Sequence, residues 1–241
     1  MWHAKNTGGY VYTTPEGVDN TDEIYNILSD PIYTNYVWDF DSICAALGNI
    51  CGEGGLNPWR WENDDVPTTT DFANWTPVEA QNHGYGLFGF TPASNYINAT
   101  NASRYSAYGY DPNFSDAAGS PDDGFAQMLF MLSVFSTYWN YRSPTYVISY
   151  YGSALQQAGF TNDEINAIAY MTPIDFIYGN YYGQYRLDVL TAAYCCHFEA
   201  PGAQYINIQG RVTAAYLIKA RLERNPPEFS TQANTWKFYL Y

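Results

Sequence analysis

Apolar residues Ile43, Cys44, Leu47, Ile50 and Cys51 fall at i, i+1, i+4, i+7 and i+8, the spacing of one helix face. They predict a helix from about Trp38 or Asp41 to Glu53, stopped by Gly54-Gly55 and Pro58. An earlier helix is predicted from Asn20, opened by Thr21-Asp22-Glu23, carried by Ile24, Ile27 and Leu28, and ended near Pro31. Before it, the first 18 residues are rich in Gly, Thr and Pro and read as extended backbone. Residues 54–82 have no period and many turn formers, with Trp59, Trp61 and Trp75 interspersed. Long irregular segments inside compact domains are usually functional.

Beyond that segment, Gly84-Tyr85-Gly86-Leu87-Phe88-Gly89-Phe90 alternates glycine with bulky side chains. It predicts a short strand or hairpin that lets a backbone or a ligand approach closely. Thr91-Pro92 opens a short helix with Tyr96 and Ile97, and 101–121 is a polar loop. Asp122 to Tyr141 predicts a long buried helix through Phe125, Met128, Leu129, Leu132, Phe135 and Trp139. Further helices are predicted at 144–157, 161–170, 173–179, 184–198 and 207–224, before a Pro-rich and then aromatic tail. The fold class that follows is α+β, mostly α, with a small β element after the second helix. One domain is expected over 1–225 and a tail over 226–241.

Composition narrows the partners. The chain has 24 acidic against 10 basic residues, a net charge of −14, and no cluster of Lys or Arg. Nucleic acid and anionic membrane surfaces are therefore poor partners. An anionic wall polymer would also be repelled by the molecule as a whole, so its binding would rest on shape, stacking and hydrogen bonds. Aromatic residues make up 19% of the chain, with 25 Tyr, and suit half-wet surfaces such as sugar grooves. The longest apolar stretch, 128–135, is too short to span a bilayer, and Met1-Trp2-His3-Ala4-Lys5 lacks the apolar core of a signal peptide. Cys44 and Cys51 lie about 10 Å apart along their helix, beyond disulfide reach. Cys195 and Cys196 are adjacent, where a bridge would be strained, so buried thiols are expected, with cross-pairing between the two sets as the alternative. His3, His83 and His197 show no metal-ligand spacing, and no metal or cofactor is expected.

Glu53 is the candidate for chemistry. A carboxylic acid on a rigid helix end, at the lip of a cleft built by the loop that follows, can act as a general acid in glycoside hydrolysis. Trp59 and Trp61 lie within one loop's reach and could stack on sugar faces. Inverting glycosidases hold a second carboxylate roughly 6.5–9.5 Å away and retaining ones hold it nearer. Glu62, Asp64, Asp65 and Asp71 are candidates for that role, each with an alternative reading as a solvated loop charge.

Two blocks carry a resemblance. Gly48-Asn49-x-x-x-Glu53-x-Gly55-x-Asn57-Pro58, then Gly84-Tyr85-Gly86-Leu87-Phe88-x-Phe90-Thr91-Pro92, resemble the phage tail lysozymes. These are lysozyme-like domains of tail-tip proteins, related in fold to goose-type lysozymes and lytic transglycosylases. Phe198-Glu199-Ala200-Pro201-Gly202 and Arg211-x-x-x-Ala215 look like that family's late element, so the resemblance spans about 1–225. It implies a lysozyme-like fold and a peptidoglycan hydrolase that cleaves the β-1,4 bond between N-acetylmuramic acid and N-acetylglucosamine. The acid would be Glu53, and Tyr85, Gly86, Leu87, Phe88 and Thr91 would line the cleft. The implied setting is a phage tail tip acting on the bacterial wall, with other tail proteins as partners and glycan strands as substrate. Two positions depart from the family: Gly54 stands where Ser is usual, and Gly89 where Gln is usual. A degenerate structural or wall-binding module, a lytic transglycosylase, and an enzyme on another β-1,4 glycan such as chitin are the alternatives.

Overall fold

The structure, a computed structural model, describes residues 2, 15–34, 36–61, 83–99, 123–179, 185–203 and 206–225. These residues are mostly helical. The helices are α1 (Pro15–Ser29), α2 (Pro31–Thr34), α3 (Phe40–Glu53), α4 (Ser94–Ile97), α5 (Asp123–Asn140), α6 (Pro144–Gln157), α7 (Asn162–Tyr170), α8 (Pro173–Tyr178), α9 (Leu187–Tyr194) and α10 (Ile208–Arg224). None of them is long and apolar enough to cross a membrane.

The first helix begins at Pro15, earlier than the extended reading of the first 18 residues allows. A proline suits a first helical turn, where its fixed φ is already helical and its missing N–H has no partner to lose. The chain breaks at Asp30, whose carboxylate accepts the Ile32 N–H at 2.9 Å. It then resumes as α2 instead of ending at Pro31. The segment expected as a small β element holds two isolated antiparallel bridges, Trp61 with Tyr85 and Tyr85 with Phe90. Residues 62–82, 100–122 and 226–241 lie outside the described residues.

The chain divides into two compact units. The first comprises Met1–Asn26, Glu53–Ser133 and Asn225–Tyr241. Its core is aromatic: Phe90 packs on Phe130 at 5.0 Å and on Tyr96 at 5.5 Å, and Trp61 on Tyr85 at 4.6 Å. Such ring pairs contribute about 0.5–1.5 kcal/mol each beyond the area they bury. Asp123, fully buried in the first turn of α5, accepts hydrogen bonds from the Tyr96 hydroxyl at 2.6 Å and from the Tyr85 hydroxyl. A buried carboxylate needs such donors, and the helix N-terminus adds favourable dipole.

The second unit comprises Ile27–Gly52 and Val134–Arg224. Trp38, Phe135, Trp139, Phe176, Tyr194 and Phe198 form its centre, with neighbouring rings 5.0 to 5.9 Å apart along Trp38–Phe135, Trp139–Phe176 and Tyr194–Phe198 to Tyr138. The Trp139 indole N–H donates to the Met171 carbonyl at 2.7 Å. Here the first and last sequence blocks meet. A Cβ on Gly48 would lie 2.7 Å from the Ala215 Cβ and 2.7 Å from the Arg211 carbonyl oxygen, so α10 crosses α3 at backbone contact. Beside it the buried Asn49 amide donates to the Ala45 and Thr191 carbonyls at 2.8 and 3.0 Å. Its oxygen accepts from Arg211 at 3.3 Å, and the same guanidinium reaches the Asn49 carbonyl at 3.4 Å. Gly48-Asn49 and Arg211-x-x-x-Ala215 are therefore two sides of one contact.

The helix predicted at 184–198 starts at Leu187 and changes after Tyr194 into a π-helical turn, Cys195–Glu199. Ala200, left-handed at φ 48°, closes the turn with its N–H on the Cys195 carbonyl at 2.7 Å. Thr161 caps α7, in a reciprocal capping box with Glu164. All four cysteines are buried thiols.

Candidate functional site

Glu53 is the last residue of α3, half-buried, and the chain leaves it through two left-handed residues, Gly55 at φ 60° and Leu56 at φ 61°. Left-handed backbone is costly for a residue with a Cβ. At Leu56 that cost is offset by full burial of the side chain and by the Asn20 amide, which donates to its carbonyl at 2.7 Å. The Asn57 N–H then closes on the Gly54 carbonyl at 3.0 Å and the Arg60 N–H on the Asn57 carbonyl at 3.2 Å. This short turn brings residues 60 and 61 back toward the acid.

Against this turn lies a tight hairpin. Tyr85 and Phe90 exchange both backbone hydrogen bonds, at 3.2 and 3.0 Å, and the Gly89 N–H reaches the Gly86 carbonyl at 3.2 Å across the turn. The Gly86 N–H donates to the Arg60 carbonyl at 2.8 Å and joins the hairpin to the turn after α3. Gly86 sits at φ 82°, and a Cβ there would lie 2.1 Å from the Gln127 side-chain oxygen. That oxygen accepts the Leu87 N–H at 2.7 Å, while the Gln127 amide donates to the Pro58 carbonyl at 2.7 Å. A fully buried Gln127 on α5 thus clamps both walls from behind.

Between the walls is a pocket of about 180 Å³ lined by Glu53, Gly54, Arg60, Trp61, Gly84, Gly86, Gly89 and Thr91. Drug-sized ligands occupy roughly 300–1,000 Å³, so this is the size of a single subsite. Glu53 is the one carboxylate among these lining residues, and Arg60 the one cation. The Arg60 guanidinium donates to the Glu53 backbone carbonyl at 3.3 Å, satisfying one of the carbonyls a helix end leaves open. Glycines supply half the lining, so much of the wall is backbone, able to present N–H and C=O groups to a hydroxylated ligand.

The expected site residues divide clearly. Glu53, Trp61, Gly86 and Thr91 line the pocket. Trp59 is half-buried, its N–H on the Asn57 side chain at 3.0 Å, and it is not on the pocket wall. Tyr85, Leu87 and Phe88, expected to line the cleft, are instead 0%, 0% and 4% exposed, with their side chains in the core. Residues 86–89 form the turn between Tyr85 and Phe90, with Gly86 and Gly89 in left-handed backbone on the pocket side and Leu87 and Phe88 turned inward. Glu62, Asp64, Asp65 and Asp71 lie outside the described residues.

The two departures from the family pattern also acquire a shape. A Cβ at Gly54 would lie 2.4 Å from the Gly86 carbonyl oxygen and 2.6 Å from the Leu87 Cα, so hairpin and helix end touch where a serine would stand. Gly89, at φ 54°, faces the acid: a Cβ there would lie 3.5 Å from a Glu53 carboxylate oxygen. Arg60, Gln127 and Asp123 escaped the sequence reading. Arg60 lies between the two tryptophans read as sugar platforms, and Asp123 and Gln127 are polar residues four apart in an otherwise apolar helix, which is the signal that could have found them. No family model matches the chain, so its function rests on this geometry.

Proposed function

We propose that this chain is a lysozyme-like peptidoglycan hydrolase, virion-associated at a phage tail, with Glu53 as its catalytic acid. The observation that carries the reading is the convergence of the two resemblance blocks on one pocket, with Glu53 on one wall and the Gly84-Gly86-Gly89-Thr91 edge of the hairpin on the other. In this reading a glycan ring lies against Trp61 and the backbone wall. Glu53 gives its proton to the glycosidic oxygen as the bond to the anomeric carbon breaks. The positive charge that develops at the anomeric carbon is then quenched by water, or by the sugar's own 6-hydroxyl, with loss of a proton in either case. Water leaves a reducing end, and the 6-hydroxyl leaves an anhydro sugar.

Glu53→Gln tests the assignment, since it removes the proton donor and keeps the shape. It is expected to lower wall clearing by at least about 10²-fold, the range of general-acid contributions, with an unchanged melting temperature. Clearing at the wild-type rate by the purified variant would sink the assignment. Mass spectrometry of the products separates hydrolysis from transglycosylation. A second reading, a wall-binding module without turnover, is favoured by Gly89, which brings no side chain to the acid. Binding to sacculi without released reducing ends or anhydro sugars would establish it.

A further inference from the structure

A net charge of −14 sets a problem for any wall-directed protein, because muramic acid carries a lactyl carboxylate and the substrate is itself an anion. The difficulty is sharpest at the pocket, where the substrate must come up to Glu53. The structure assigns the local answer to Arg60: we propose that it is the specificity-determining residue, receiving the carboxylate of an acidic sugar bound beside Glu53. The inference rests on the glycan-cleaving reading of the same pocket.

Three observations carry it. Arg60 is one of 10 basic residues in the chain and the one cation among the described residues that line the pocket. Its guanidinium is not a loose surface group: it donates to the Glu53 carbonyl at 3.3 Å, and its backbone carbonyl accepts the Gly86 N–H at 2.8 Å, so both ends are fixed to the pocket walls. Of the other lining residues, Gly54, Gly84, Gly86 and Gly89 bring no side chain, and Trp61 and Thr91 bring no charge. A planar guanidinium held in this way matches a carboxylate in two parallel hydrogen bonds, which a lysine cannot reproduce. Arg60 is only partly buried, so the contact acts against the repulsion from the acidic surface at low salt and weakens as salt rises.

The experiment is a binding titration in the Glu53→Gln background, where bound glycan is not turned over. The probes are a tetrasaccharide of alternating muramic acid and glucosamine residues, both N-acetylated, the same tetrasaccharide with its lactyl carboxyls reduced to alcohols, and the uncharged chitin tetramer. The carboxylate form is expected to bind about ten-fold tighter than the reduced form. Adding Arg60→Gln should erase that ratio, so that the carboxylate and reduced forms bind equally. Arg60→Lys should retain part of the ratio. If Arg60→Gln does not fold, the salt dependence of the ratio in Glu53→Gln alone decides: it should shrink as salt rises. A ratio that survives Arg60→Gln, or that is absent or salt-independent in Glu53→Gln, overturns the inference and leaves the glycan reading standing. Failure of all three probes to bind overturns both.

Discussion

A serine in place of Gly54 would restore the residue usual in the family this chain resembles, yet the backbone leaves no room for it. The 2.4 Å approach to the Gly86 carbonyl means that hairpin and helix end must separate before any side chain fits. Gly54→Ser is therefore expected to destabilise the protein by about 1–3 kcal/mol, the range for overpacking a rigid site, and to lower activity further by displacing Gly86 from the pocket. Gly89→Ser differs. The nearest atom to its Cβ is a carboxylate oxygen at 3.5 Å, so its cost is the left-handed backbone, about 1–2 kcal/mol. Urea midpoints of the two variants, with wall clearing beside them, check the contrast. Loss of clearing in the first without loss of stability would show that the hairpin does not rest on Gly54. At this scale Glu53 was legible from its place at the end of an apolar period. The reason for its glycine neighbours was not, because close backbone approach leaves no mark in residue type beyond the glycine itself.

At the scale of elements, the helices followed from spacing, and Pro144–Gln157 has its predicted bounds. The hairpin lies where the sequence placed it, and Gly86 and Thr91 line the pocket, whereas Tyr85, Leu87 and Phe88 turn into the core and leave that wall to the small residues. The π-helical turn had no signature: Cys195–Glu199 continues an apolar helical run. His197 is buried with its ring stacked on Trp139 at 4.9 Å, and its nitrogens face the Ile168 carbonyl at 2.9 Å and the Trp139 carbonyl at 3.4 Å. Burial pushes its pKa below the usual 6.5, an effect the two carbonyls oppose and nearby Arg142 reinforces. The folded state thus binds fewer protons than the unfolded chain in this range, and stability must rise with pH. The contribution is complete above the unfolded value of 6.5 and is lost as pH falls through the depressed folded value. Glu164, lowered by its capping bonds to Thr161, adds a separate loss that begins only below its ordinary 4.5. Urea midpoints between about pH 7.5 and 5.5 should fall for the wild type and stay flat for His197→Gln. Equal slopes would remove His197 from the account.

At the scale of the whole molecule, the two units differ in what they can report. Cys44, Cys51, Cys195 and Cys196 all belong to the second unit, and each is at most 2% exposed. Burial raises the Cys51 thiol to about 12 and pushes Cys44 and Cys196 up as well, so the reactive thiolate is scarce even where a reagent arrives. Sequence spacing argued for thiols here, but not for their gathering in one unit, where α3 meets α9 across a long chain separation through the Asn49 amide on the Thr191 carbonyl at 3.0 Å. Ellman's reagent is accordingly expected to label less than about one thiol per native molecule within minutes, and all four in denaturant. The slow native labelling then measures opening of the second unit, because a buried thiol reacts through the fraction of molecules in which its surroundings have come apart. Destabilising the α3–α10 contact at Gly48, where an added Cβ would lie 2.7 Å from the Ala215 Cβ, should raise that rate in proportion to the stability lost. Fast labelling of wild-type protein, or a rate indifferent to Gly48→Ala, would mean that the thiols are reached by a local route and that the α3–α10 contact does not keep the unit closed.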